Sequence, residues 1–193
     1  GFVAYDFVET CDCDYTAAPI FSVFIDESYQ QFSQEIRLVS PIGGTFDWLG
    51  GLYYQTSELG FDDNIKIPDN SILGLISAGA LAPLTGQGAG RNYQLDTDMW
   101  SAFFQGRYHI TDALTLTLGA RFTHEEKTAS RVINITDLST GDITQDAMSP
   151  VLFDSVFGIQ SEQSPLSPQG HNLNGKRDED SFTPLVNISY KID

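Results

Sequence analysis

Three histidines, two cysteines and a few clustered carboxylates have the means to do chemistry, and their spacing points away from it. His109, His124 and His171 are dispersed, and no H-x-x-H pair brings two imidazoles to one metal. The chain contains no nucleophile elbow, P-loop or dinucleotide fingerprint. Cys11 and Cys13 stand in CDCDY, where a disulfide across one intervening residue is expected to be strained. Two thiols are too few for a tetrahedral zinc site without histidine help, even with Asp12 and Asp14 beside them. The reading there is an ordinary exposed loop. Asp178–Asp180 lacks the spacing of an EF-hand loop. His124, next to Glu125 and Glu126, reads as a strand end emerging into a wet loop. Enzyme is the poorest class for this chain, and no cofactor is expected.

A second set of polar residues is more orderly. Glu35, Arg37, Gln105, Arg107, Arg121 and Glu125 each sit one step out of phase with a row of apolar side chains. In Phe32–Leu38 one parity reads Phe32, Gln34, Ile36, Leu38; in Phe46–Gln55 it reads Phe46, Trp48, Gly50, Leu52, Tyr54. The same grammar returns as Trp100, Ala102, Phe104, Gly106, Tyr108, Ile110, and again as Leu114, Leu116, Leu118, Ala120, Phe122. Period-two alternation is the mark of strands, whose successive side chains point to opposite faces. Pro41, Gly43 and Gly44 supply one tight turn, and Thr111–Ala113 another.

The elements that carry these residues follow from the punctuation. Strands are predicted near 1–8, 30–40, 46–57, 95–110, 114–128 and 182–192, with long connections over 9–29, 58–94 and 129–181. Within the second connection, Ser71–Ala82 with Asn70 as its cap predicts a short helix interrupted by two glycines. Short turns alternate with long loops, as in a transmembrane β-barrel with short periplasmic turns and long extracellular loops. Structureless loops this long are uncommon in compact soluble domains. The expected fold is therefore all-β: an antiparallel up-and-down transmembrane barrel segment of about six strands. Trp48, Tyr54, Trp100, Tyr108, Phe122 and Tyr190 are then candidates for lipid-facing aromatic girdles, and the six polar residues above for the lumen.

Length and composition agree. At 193 residues and 41% hydrophobic, the chain is not disordered by composition, yet no apolar run is long enough for a membrane helix. The net charge of −16 repels nucleic acid, which is set aside as a partner. The stretches 1–29, 58–95 and 129–181 hold 18 of the 26 acids and 5 of the 10 bases, which assigns most of the charge to connections. No basic-then-apolar leader opens the chain. Six strands are fewer than the eight of the smallest single-chain bacterial barrels, and lipid does not tolerate open sheet edges. An excerpt of a larger barrel is the expectation.

FSQEIRLVS, WLGGLYYQ and FFQGRYHITDALTLTLGARFTHEEK, with SFTPLVNISYKI at the close, resemble the barrel of TonB-dependent outer-membrane receptors. The resemblance covers the strands and turns, about two-thirds of the chain. It implies a 22-stranded parent barrel around an N-terminal plug, driven by the inner-membrane TonB complex, importing a scarce large nutrient such as a siderophore, a cobalamin-like compound or a glycan. Neither plug nor TonB box occurs in this sequence, and no ligand residue carries over. Implied partners are outer-membrane lipid, the rest of the barrel and its plug, and a small-molecule ligand. A passive porin and a soluble secreted β-domain binding glycan or protein are the competing readings.

Overall fold

Alternation at period two carries the strands much further than the apolar rows alone indicate. The computed structural model describes residues 1–168 and 172–192. It contains six strands: β1 (Phe2–Cys11), β2 (Ser22–Val39), β3 (Phe46–Ile67), β4 (Gln87–His109), β5 (Leu114–Asp137) and β6 (Leu173–Tyr190). They form one antiparallel up-and-down sheet in the order β1-β2-β3-β4-β5-β6. Helix α1 (Leu73–Ile76) and a 3₁₀ turn at Ala82–Leu84 lie between β3 and β4, and α2 (Met148–Phe157) lies between β5 and β6. No helix among the described residues is long and apolar enough to cross a membrane.

The expected strand limits need correction. β3, β4 and β5 are 22, 23 and 24 residues long, so about half of the supposed loop at 58–94 and the start of that at 129–181 are strand. The KRDED patch (Lys176–Asp180) is strand as well, alternating Asp178 and Asp180 against Glu179. The acids assigned to connections therefore lie largely on the sheet. At ~3.3 Å per residue, 24 residues extend ~80 Å, or roughly 60 Å along the axis at a ~40° tilt. A hydrocarbon band ~25 Å tall takes up less than half of that.

Other local expectations also shift. The helix over Ser71–Ala82 is reduced to one turn, and Ile72 rather than Asn70 stands at its start. Ala78 and Gly79 adopt positive φ, which ends it. Cys11 and Cys13 are joined in a disulfide at the top of β1, with Cα atoms 5.1 Å apart, so the pair is neither free nor metal-bound. His124 lies in the middle of β5 rather than at a strand end. His171 is outside the described residues.

The small core sits at the long-loop end. Ile67, Ala89 and Ile135 from three strands pack with Leu73, Leu84 and Phe153 from the connections, and Ile20, Phe21 and Leu152 lean on them. The connections are tied to one another: Ser71 donates to the Ile20 carbonyl at 2.7 Å, and Ser149 to the Pro83 carbonyl at 2.7 Å. Asp14 holds the first connection by accepting from Thr16, Ile20 and Phe21, and these bonds, the Thr16 hydroxyl first, keep its carboxyl below the usual range.

Candidate functional site

The site this chain can build is a surface, and the register decides which residues share it. In every one of the five strand pairs, even-numbered residues face even-numbered partners and odd face odd. Side chains alternate along each strand. So one face of the whole sheet carries the even residues and the other the odd ones.

The even face has an apolar zone next to the short turns. Tyr54, Trp100 and His124 share one row, and Phe46, Tyr108, Leu116 and Ile188 share another, eight positions away. Eight positions span ~26 Å of strand, or ~20 Å at a ~40° tilt. Between the rows lie Leu52, Phe104, Leu118, Ala102 and Ala120. Trp48 stacks on Phe104 at 6.1 Å, and Trp100 meets Phe122 at 5.4 Å. These side chains are not packed inside anything: Trp48 is 36% exposed, Trp100 45%, Phe104 51%, Leu118 50% and Leu52 60%. A water-soluble sandwich would bury them under a second layer, and no such layer is present among the described residues.

The odd face over the same rows is polar. Arg37 and Arg121 lie in one register row, separated by Gly51 and Phe103. Each guanidinium lies 6.0 Å from an aromatic ring, Arg37 over Phe103 and Arg121 over Tyr53. Arg37 pairs with Glu35 at 2.5 Å. Arg121 donates to the Ser101 hydroxyl at 2.9 Å, and no carboxylate meets it among the described residues. Glu125 pairs with Lys127 at 3.0 Å, and His109 with Asp47 at 3.0 Å near the short turns. Gln105 and Arg107 lie on this face at neighbouring odd positions of β4. All six arginines of the chain (Arg37, Arg91, Arg107, Arg121, Arg131, Arg177) occupy odd strand positions.

Gly51 is the tightest position on the odd face. A Cβ there would lie 2.4 Å from the Ile36 carbonyl oxygen and 2.6 Å from the Phe103 ring. The missing side chain is what lets the ring fold across the strand beneath the Arg37 guanidinium. Gly51→Val is expected to destabilise the full-length protein by ~1–3 kcal/mol through overpacking. Gly175→Ala, where nothing lies within 4 Å, is expected to be neutral. Melting temperatures in detergent check both, and equal shifts would count against the close approach.

Beyond the Tyr54–Trp100 row the two faces exchange character. The even face becomes polar, with Glu58, Asp96, Asp98, Glu126 and Asp180, and His124 bonds Asp180 at 2.8 Å. The odd face gains an apolar group, Phe61, Ile65, Ile67, Ala89, Ile133 and Ile135, beside the Arg91–Asp63 pair, and receives the connections. The even face is thus greasy near the short turns and wet above, and the apolar residues of the upper sheet lie on the odd face toward the long-loop end. Such an exchange suits a sheet that leaves lipid part-way along its length.

A model of the family described as TonB dependent receptor-like, beta-barrel matches residues 6–193. The chain belongs to the TonB-dependent receptors. They are a family of outer-membrane transport receptors of Gram-negative bacteria, not of enzymes. The crystal structure of the ferric yersiniabactin uptake receptor FyuA from Yersinia pestis resembles this receptor segment over 100% of its length, with a TM-score of 0.58 and 14% identity. At that identity the likeness shows the fold. The segment spans 22% of the FyuA chain. No curated protein matches it.

The structure collects the sequence candidates by parity. Trp48, Tyr54, Trp100, Tyr108, Phe122 and Tyr190 all fall on the even face of the receptor segment, and Glu35, Arg37, Gln105, Arg107, Arg121 and Glu125 all on the odd one. Sequence reasoning missed the inversion of polarity above them. The available signal was the alternation of Leu59, Phe61, Ile65 and Ile67 with Gly60, Asp62, Asn64 and Lys66.

Proposed function

We propose that this receptor segment forms part of the wall of an outer-membrane importer for a scarce, large nutrient, with its even face in lipid and its odd face on the lumen. The short turns then lie on the periplasmic side, and the connections carrying α1 and α2 on the extracellular side. The observation that carries the reading is the bulge-free even/odd register combined with exposed aromatics on one parity and every arginine on the other. Arg37, Arg107 and Arg121 stand along the solute path and beside the plug, with guanidinium donors available for carboxylates. Uptake is energised by the TonB complex through parts of the protein outside this segment. The nutrient is a siderophore, a cobalamin-like compound or a glycan, and the role of FyuA in ferric yersiniabactin uptake favours the first.

Two measurements on the full-length receptor test this. Nitroxides at Leu52, Phe104 and Leu118 are expected to collide with oxygen, and those at Tyr53, Gln105 and Thr117 with a water-soluble nickel complex. The opposite pattern would reverse the faces. Uptake that survives loss of TonB would make the protein a passive porin.

A further inference from the structure

We infer that the connection between β5 and β6 is a fixed extension of the wall, standing over the odd face, and not a flap that swings. The reason begins with an overhang. β5 pairs with β4 as far as Asp137, but with β6 only as far as Arg131. Above Arg131 the β6 side of β5 has no partner strand among the described residues, and a bare strand edge presents a row of unpaired N–H and C=O groups. The connection occupies that edge. The Ile133 amide donates to the Asn172 side chain at 3.1 Å. The Gln163 side chain accepts from the Ile135 amide at 3.3 Å and donates to the Ile135 carbonyl at 3.4 Å. A side-chain amide carries a donor and an acceptor side by side, so Gln163 does for Ile135 what a residue of a neighbouring strand would do. The same carbonyl accepts the Thr144 amide at 3.0 Å, and the Asp137 amide donates to the Asp142 carbonyl at 2.9 Å. Thr136 and Ile143 form an antiparallel bridge between them.

Packing holds the same piece a second time. Phe153 of α2 is fully buried in the cluster with Ile67, Ala89 and Ile135. The Ser164 hydroxyl donates to the Asp154 carboxylate at 2.7 Å in a buried contact, which fastens α2 to the stretch that carries Gln163. The connection between β3 and β4 is tied in as well. Its Gly86 carbonyl accepts the Leu138 amide at 2.8 Å, and its Pro83 carbonyl the Ser149 hydroxyl at 2.7 Å. An outward swing would strip the β5 edge and uncover the Phe153 ring in one step. Segments that open readily have few buried contacts and solvent-exposed hydrogen bonds, and this one has a buried ring, a buried polar pair and a paired edge.

Ile67, Ala89 and Ile135 are odd-numbered, so the connection leans over the odd face. If that face lines the lumen, as proposed above, the mouth is narrowed permanently on this side, and a solute passes beside the connection without displacing it. The rigidity does not depend on that reading; only its place beside the solute path does.

The test places nitroxides at Val156 on α2 and Gln94 on β4, both exposed, in the full-length receptor. Cys11 and Cys13 are bonded to each other, so the introduced cysteines alone take the label. Pulsed electron resonance then measures the distance between the labels in detergent, in outer-membrane vesicles, and in cells with and without TonB. One narrow distribution, the same in every sample, is expected. A second population, or a shift that depends on TonB, overturns the inference. Hydrogen exchange reads the edge itself: Gln163→Ala is expected to speed exchange of the Ile135 amide tenfold or more and to broaden the distance distribution. Exchange at Ile135 indifferent to that variant also overturns the inference. Should Gln163→Ala fail to fold, the distances in the otherwise unaltered receptor decide. A single distribution combined with an odd face that meets lipid upholds the fixed connection and defeats only the lumen reading.

Discussion

Phe104→Arg is expected to destabilise the folded receptor by about 2–4 kcal/mol if the even face meets lipid as proposed, the cost of an arginine at mid-membrane depth. Phe104 lies in β4 four positions from Trp100 and four from Tyr108, so it sits midway between the two aromatic rows. No interface is near enough for the guanidinium to reach without distorting its surroundings. Gln105→Arg, one residue along, places the same charge on the opposite face among Arg37, Arg107 and Arg121. It is expected to cost no more than a few tenths of a kcal/mol, as for an ordinary surface substitution. Reversible denaturant unfolding into phospholipid vesicles measures both. Equal losses would mean that the two faces meet the same medium, and the assignment of lipid to one of them would be abandoned.

Phe153→Ala is expected to remove ~3–5 kcal/mol from the packing of the connections, because the ring is fully buried. The loss should be local. Phe153 meets the sheet through the small cluster with Ile67, Ala89 and Ile135, whereas the strands are held by their own continuous ladders. Regions with few buried contacts open separately from the rest. Hydrogen exchange is the measurement: the amides of Ile72 and Leu138, which bond to the carbonyls of Pro19 and Gly86, should lose protection. The amides of Leu52 and Phe104 should keep theirs. A uniform loss across the sheet would show that the cluster supports the barrel itself.

The sequence disclosed the strand pattern where greasy residues occupied even positions and concealed it where they moved to odd ones. Phe46 to Tyr54 and Trp100 to Tyr108 are unmistakable as half-apolar strands. From Leu59 to Ile67 the alternation continues with its sense reversed, and the intervening Gly60, Asp62 and Asn64 resemble loop composition. Residues favoured in turns are also favoured on a wet strand face, so composition alone could not separate the two. Helix α2 was hidden by Pro150, which sits in its first turn, where the missing N–H has no partner to lose. Asp146, just ahead of it, accepts from the Met148 and Ser149 amides. The Cys11–Cys13 bridge was judged by spacing, but β1 ends at Cys11 and the chain turns there, bringing the two Cα atoms within bonding range. The candidate residues themselves were legible because parity is a property of the chain alone. Which medium each parity meets belongs to the whole barrel.

Strict parity across five strand pairs limits how such a chain can change over time. Deleting or adding one amino acid within β4 would turn the remainder of that strand inside out, exchanging its arginines and its tryptophan between the two faces. Changes in pairs would slide the ladder but keep each side chain on its proper side. Length variation is thus channelled into the connections above the sheet, where α1 and α2 sit, while the wall beneath them can diversify only by substitution.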